Sequence, residues 1–504
     1  MESQPTYYDL LNLASDATQE EIRRAYHEAA RQLHPDVSND PASTESFIQV
    51  QKAYEVLSDP KARAKYDNTL PKPVETEVKI SANEVRVIAE EISLKIIYSR
   101  TNLPKLDESQ LFYVLLDITA PENSSHQATA PINACLVIDR STSMGGVRMD
   151  TVKATAIELM RNLRPQDTLA IVAFSDRAEV ILPANRGYRR NEVEAKIRRI
   201  QPGGGTEIFQ GLEAGFFEIR RYLSNKQINH MILLTDGRTY GDEDECVVLA
   251  KKMAASGVSL STFGIGDEWN DLFLDGLANR TGGSSFYVSY PGDIAAFLND
   301  KFRGLRQLYA EQLQLKLETL PGVLLQYALR LQPDTLPLPV ESLIRLGGIP
   351  NDNGARLLLE FVVAPMTGRN QQINLANCTL SMDIPARNKA GYKIPFKLNR
   401  QVSQVFQPEG PPNDIIQSVS QMTLYRMQER IQLEMIEGNF IDANELMQHL
   451  ATQLLARGEP DLASTVLKEA ERIQHTQHIS EEGKKQIKYG TRALMLPVDL
   501  LKDR

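Results

Sequence analysis

Five oxygen-bearing side chains stand where apolar runs of this sequence end. Asp139 closes the run INACLVID and opens Asp139-Arg140-Ser141-Thr142-Ser143, Thr206 follows Gly203-Gly204-Gly205, and Asp236 comes directly after HMILLT. Two carboxylates and three hydroxyls, with no His or Cys among them, form a hard donor set. Such a set suits Mg²⁺, with Mn²⁺ or Ca²⁺ as the alternatives, and argues against zinc. Mg²⁺ takes six oxygens, more than these loops can supply, so a water or a carboxylate from outside would complete the shell. A phosphate could also lie on the glycines before Thr206 if a helix starts there. The nucleotide fingerprints are incomplete, however: Trp269 occupies the third glycine position after Gly264 and Gly266, and GxxxxGK[ST] is absent. The glycines are better explained as letting the Thr206 loop approach a metal closely. A second polar signature, His34-Pro35-Asp36, interrupts two amphipathic segments near the N-terminus.

The oxygen donors can meet only if a fold brings their loops together. Residues 132–139, 168–174, 230–235 and 258–265 are short, nearly all-apolar runs, as expected of strands buried on both faces. Helical patterns lie between or after them at 147–163, 191–200, 206–223, 243–256 and 270–281. That alternation predicts a doubly wound parallel sheet, which binds ligands at the carboxyl ends of its strands. In the N-terminal part, Thr18 and Glu21 form a capping signature. The helix they begin aligns Ile22, Tyr26, Ala30 and Leu33, and it stops at the residue before Pro35. A second helix aligns Phe47, Val50, Ala53, Tyr54 and Leu57, and Pro60 opens a short third one ending near Asp67.

The 504-residue length predicts several domains, and a formal net charge of −9 disfavours a nucleic-acid binder. Three widely spaced cysteines, Cys135, Cys246 and Cys378, suggest a reducing compartment rather than a disulfide framework. The start, MESQPTYYDLLNL, lacks the pattern of a signal peptide, and no apolar run approaches the roughly 20 residues of a membrane span. These features predict a cytoplasmic protein.

The run from Tyr7 to Asp67, with YYDLLNL, HPD and SDPKARAKYD in order, resembles a J domain, the co-chaperone module of DnaJ-type proteins. The resemblance implies docking to a DnaK-type heat-shock ATPase and stimulation of its ATP hydrolysis. Pro35 would stiffen the loop, His34 would pack it, and Asp36 would offer a carboxylate to an arginine of that partner. Arg23, Arg24 and Arg31 would face an acidic surface of the ATPase. The module departs from the family in carrying His27 and Glu28 within the usual basic run. Its first 70 residues hold 12 Asp and Glu against 7 Lys and Arg, so electrostatic steering to the ATPase should be weak.

The DxSxS, Thr and Asp elements resemble the von Willebrand factor type A (VWA) domain and its metal-ion-dependent adhesion site. By that likeness Ser141, Ser143 and Thr206 would ligate the metal directly, and Asp139 and Asp236 would act through bound water. The remaining position would take an acidic side chain of a partner. Segment 264–288 is similar to the form found in calcium-activated-chloride-channel-regulator-like and inter-alpha-trypsin-like proteins.

The expected fold class is therefore multidomain α+β. A helical J domain (1–70) leads through a linker at 71–73 to strands at 74–121, which pair with those at 306–405 in one β-sandwich. The VWA domain (130–305) is inserted in that sandwich, and a helical hairpin region (413–496) follows it. Two similar loops at 437–443 and 457–463 mark helix junctions in this last region. It could be a peptide groove or a cap on the sandwich edge, with Met422, Met427, Met435 and Met447 as packing residues. The functional expectation is a non-enzymatic adaptor that grips a protein through the metal and recruits a DnaK-type ATPase. The alternatives are a metal-dependent hydrolase and an assembly scaffold with a vestigial J domain.

Overall fold

The computed structural model describes residues 7–11, 18–33, 41–67, 77–80, 83–121, 129–187, 189–239, 241–366, 371–403 and 410–494. The chain forms two compact units, residues 1–76 and 77–504.

The first unit is helical. It consists of α1 (Tyr7–Leu10), α2 (Gln19–Leu33), α3 (Pro41–Ser58) and α4 (Pro60–Asp67). The capping signature forms: the Thr18 N–H donates to Glu21 Oε2 at 2.7 Å, and the Glu21 N–H donates back to Thr18 Oγ1 at 3.3 Å. Leu11, Ile22, Val50, Ala53 and Leu57 make the core, flanked by stacked Tyr26 and Tyr54 rings with centroids 4.1 Å apart. Tyr7 and Tyr66 stack at 4.4 Å and tie α1 to α4. The expected core side chains Ala30, Leu33 and Phe47 lie outside the described residues, as do the loop His34-Pro35-Asp36 and the linker at 71–73.

The second unit opens with β1 (Glu77–Ile80), β2 (Glu84–Ala89), β3 (Ile92–Tyr98), β4 (Asn102–Pro104) and β5 (Gln110–Thr119). The run VRVIAEEISLKIIY is a hairpin that turns at Glu90-Glu91. The α/β segment follows as β6 (Ile132–Asp139), α5 (Val147–Arg161), β7 (Thr168–Phe174), β8 (Ala178–Asn185), α6 (Arg190–Arg198), α7 (Ile208–Arg220), β9 (Ile228–Thr235), α8 (Glu243–Ala255), β10 (Ser259–Ile265), α9 (Asp271–Thr281), β11 (Ser285–Val288) and α10 (Ile294–Arg306). Its sheet runs β11-β10-β9-β6-β7-β8 and is parallel except at the β7–β8 edge. Helices α5, α6 and α10 cover one face and α7, α8 and α9 the other, so the sheet is doubly wound as the alternation predicts. Strand β8 was not expected from the sequence; it carries Pro183, which a sheet tolerates at an edge.

The chain then returns to strands with β12 (Leu308–Thr319), β13 (Val323–Gln332), β14 (Leu336–Pro337), β15 (Leu343–Pro350), β16 (Ala355–Val363), β17 (Gln372–Ile384) and β18 (Lys389–Ser403). One sheet is ordered β1-β2-β3-β5-β16-β13-β14 and the other β15-β12-β17-β18-β4. Strand β5 pairs with β16 from Gln110↔Val363 to Ile118↔Ala355, so strands before and after the α/β segment share a sheet. The two sheets enclose a single core that includes Leu94, Phe112, Leu116, Leu315, Phe361 and Leu380. The α/β segment is thus inserted in a β-sandwich. Cys135, Cys246 and Cys378 are buried and unbridged.

Helices α11 (Asn413–Glu437), α12 (Phe440–Ala456), α13 (Pro460–Thr476) and α14 (Glu481–Ala493) complete the unit. Gly438 and Gly458, the shared glycines of the two similar loops, both sit in the left-handed region at φ 81° and end α11 and α12. The helices join Ile97, Leu115, Leu329, Leu331 and Leu358 on the outer face of the seven-stranded sheet. They therefore cap the sandwich. Met422 and Met447 are buried in that layer, and Met427 and Met435 pack at its margin. Among the described residues no helix is long and apolar enough to cross a membrane.

Candidate functional site

The central strand β6 lies between β9 and β7, and Asp139 and Asp236 stand at or just beyond the carboxyl ends of β6 and β9. Parallel strands of unlike connection leave their crevice at this position. Asp139 is fully buried: its Oδ1 accepts from the Ser141 N–H at 2.7 Å and its Oδ2 from the Thr235 hydroxyl at 2.6 Å. Ser143 Oγ donates to Asp236 Oδ1 at 2.7 Å, and Ser141 Oγ lies 3.1 Å from Ser143 Oγ. Burial pushes the Asp139 carboxyl up to about 6, and the neighbouring Asp236 adds to the rise against the hydrogen bonds of Thr235 and Ser141. A cation between these groups would relieve both effects.

The glycine loop is zipped to the serine loop. Both the Thr142 N–H and hydroxyl donate to the Gly204 carbonyl, at 3.2 and 3.1 Å, and the Gly203 N–H donates to the Arg140 carbonyl at 2.7 Å. Gly204 needs its left-handed conformation at φ 87°, and a Cβ there would collide with Asp176. Asp176 in turn accepts the Gly205 N–H at 2.8 Å. These contacts deliver Thr206, whose hydroxyl stands beside Gly237; a Cβ on Gly237 would come within 3.0 Å of it. Thr206 is only 7% exposed, and among the described residues nothing hydrogen-bonds its hydroxyl.

All five residues predicted from the sequence are thus brought to one end of the sheet. The donors are oxygens only, the Thr206 hydroxyl has no partner among the described residues and lines a cavity, and Gly237 leaves the space beside it clear, so the set fits a hard divalent cation. No cluster of three or more His, Cys, Asp or Glu is placed to hold a metal among the described residues, which leaves the two carboxylates dependent on the hydroxyls. Ser141, Ser143 and Thr206 line a cavity of about 770 Å³.

Four residues at the site were not read from the sequence. Thr235 orients Asp139 and directly precedes Asp236, so its place in LLTDG was the available signal. Arg148, on the first turn of α5, holds Asp236 Oδ2 at 2.6 Å and donates to the Ser143 carbonyl at 3.2 Å. Glu481 and Glu482, from α14, line the same cavity. Arg148, Glu481 and Glu482 had no local signal.

Of the predicted ATPase-facing residues, Arg23 and Arg24 are exposed on α2. Arg31 lies on α2, but its side chain and the residues His34, Pro35 and Asp36 fall outside the described residues.

Comparison with known proteins finds three matching families: a DnaJ domain at residues 6–67, a von Willebrand factor type A domain at 133–300, and an Sll0103-like C-terminal alpha-helical domain at 413–497. The relative "Uncharacterized protein sll0103" of Synechocystis sp. is 27% identical over 389 residues, which cover 75% of this chain and 91% of that protein. "Chaperone protein DnaJ" of Trichormus variabilis is 48% identical over 68 residues, 14% of this chain and 18% of that protein. The solved structure of a von Willebrand factor type A protein from Catenulispora acidiphila shares the fold at a TM-score of 0.62 and 16% identity, covering 82% of this chain and 99% of its own.

Proposed function

We propose that this chain, which joins a DnaJ domain to a VWA domain, is an adaptor and a non-enzymatic cytoplasmic co-chaperone. Its VWA site grips a protein partner through a metal-bridged carboxylate, and its J domain recruits and stimulates a DnaK-type ATPase. The observation that carries the reading is the convergence of Asp139, Ser141, Ser143 and Asp236 around the unpartnered hydroxyl of Thr206.

Ser141, Ser143 and Thr206 would hold Mg²⁺, with Mn²⁺ or Ca²⁺ as substitutes. Asp139 and Asp236 would balance its charge, and Thr235 keeps Asp139 oriented. The bound cation supplies one position at which an acid side chain of the partner is captured. His34, Pro35 and Asp36, with Arg23, Arg24 and Arg31, would make the ATPase contact. Because one chain carries both functions, a weak ATPase contact would act at an effective concentration on the order of millimolar near the captured partner.

The test is paired. The purified full chain should stimulate a DnaK-type ATPase, and Asp36→Asn should abolish this without affecting Mg²⁺ binding. Ser141→Ala with Ser143→Ala should abolish Mg²⁺ uptake by calorimetry and Mg²⁺-dependent, EDTA-sensitive capture of partner, leaving ATPase stimulation intact. Mg²⁺-dependent turnover in a phosphatase screen would refute the adaptor.

A further inference from the structure

Helix α14 overlooks the metal site. The cavity that begins at the site's hydroxyls is closed on another side by Glu481 and Glu482 of α14 and by Asp267 and Glu268 of the loop after β10. Against these four carboxylates stand two cations, both at Glu481: Arg238, which lines the cavity 3.8 Å from it and donates to the Glu268 carbonyl at 3.0 Å, and the buried Lys485, 3.5 Å from it. We propose that this acidic wall is a specificity surface: the partner's coordinating carboxylate must sit in a basic segment, whose Lys or Arg side chains pair with Glu481, Glu482 and Glu268. The inference rests on the metal-bridged reading given above and adds to it the chemistry of the partner.

The wall is rigidly founded. Ser480 caps α14, accepting the Gly483 N–H at 2.9 Å, and its own N–H and hydroxyl both donate to Glu469 of α13. Lys485 is fully buried beneath the Trp269 ring and donates to the Asp267 carbonyl. Lys484 and Lys488 reach Asp271 of α9, and Lys488 and Arg492 reach Asp275. Lys484 and Lys488 are thus committed to the anchored face, Lys485 also stands 3.5 Å from Glu481, and Glu482 and Glu481 face the cavity with no further lysine of α14 beside them.

Acidic residues in a first turn also stabilise a helix through its dipole, which would by itself account for Glu481 and Glu482. It does not account for Asp267 and Glu268, which face the same cavity from a different element. Nor does it account for Thr206, a residue only 7% exposed that lines the same cavity and whose hydroxyl has no hydrogen-bond partner among the described residues. A bare acidic segment approaching this ligand position would meet repulsion from the wall. The same carboxylate flanked by cations would meet complementary charge.

The test uses the full chain and fluorescent peptides with one central Asp flanked on each side by two Lys, two Gln or two Glu, in Mg²⁺ and in EDTA. In Mg²⁺ the Lys-flanked peptide should bind about tenfold tighter than the Gln-flanked one, the product of two or three exposed pairs each worth a factor of roughly 1.5 to 5. The preference should fall within about twofold in Glu481→Gln with Glu482→Gln and at high salt. Glu481→Lys with Glu482→Lys should favour the Glu-flanked peptide, and replacing the central Asp by Asn should remove Mg²⁺-dependent binding. A flat Mg²⁺ titration overturns the metal reading itself. Mg²⁺ uptake with equal binding, or no binding, of the three peptides overturns only this inference. So does a Gln double variant that tightens every peptide alike, which would make the helix end an internal competitor.

Discussion

Asp275→Ala should release α14 from the α/β domain. Asp275 Oδ1 accepts from the Tyr489 hydroxyl at 2.9 Å and Arg492 Nη1 at 3.1 Å, and its Oδ2 lies 2.7 Å from Arg492 Nη2 and 2.8 Å from Lys488 Nζ. All three ionised groups are buried. Without the carboxylate, Arg492 keeps the Tyr425 hydroxyl at 3.2 Å, and Lys488 shares Asp271 with Lys484. A buried cation stripped of its partner costs about 3–5 kcal/mol. The loss should be local, and a chain of several domains does not unfold in one step, so a global midpoint would blur it. Hydrogen exchange of residues 481–493 in the intact chain isolates it. Those amides should open roughly two to three and a half orders of magnitude more often. Asp275→Leu with Arg492→Met should restore much of the protection, because an apolar pair removes both charges. Burial alone would raise the Asp275 carboxyl, but the Arg492 and Lys488 cations prevail and hold it well below the usual carboxylate range. The dock should therefore persist above pH 4 and fail only as the pH falls through that depressed value. Exchange in Asp275→Ala within about threefold of wild type would refute the reasoning.

Two further outcomes follow from other charged groups. Arg148→Gln removes the cation that holds Asp236, and Mg²⁺ should then bind about three- to tenfold tighter by calorimetry, a modest gain because Arg148 is a third exposed. Unchanged or weaker Mg²⁺ binding would show that Arg148 positions Asp236 instead. Burial, reinforced by Asp383, pushes the Glu311 carboxyl well above its ordinary value, so the folded chain keeps it protonated where the unfolded chain ionises it. Wild-type stability should thus fall as the pH rises past the ordinary glutamate range, by at most about 1.4 kcal/mol per pH unit from this group. Glu311→Gln has no such dependence, and its thermal midpoint should gain on wild type between pH 5 and pH 8. An equal gap at the two pH values would count against a protonated Glu311.

The local chemistry of this protein was legible from its residues. Thr18 and Glu21 signalled a helix start, the all-apolar run 132–139 signalled a strand covered on both faces, and Gly438 and Gly458 marked helix ends. Asp139 and Asp236 could be placed at strand ends because a buried parallel strand changes character abruptly where it leaves the sheet. Met422 and Met447, expected as packing residues, are buried in the helical layer. Such features depend on neighbours within one or two turns of chain.

The charge pairs were decided by tertiary structure. Arg148 meets Asp236 across 88 residues, and Arg492 meets Asp275 across 217. Lys485, which composition would place in solvent, is fully buried because α14 lies against Trp269. Nothing local distinguishes an arginine that will guard a carboxylate from one that will be solvated, since an ion pair is selected by the docking of whole helices. The sequence therefore determined which oxygens could hold a cation. The docking of α14 decided that an acidic wall stands over them, because only packing brings residues 480–482 to the ends of strands formed more than 240 residues earlier.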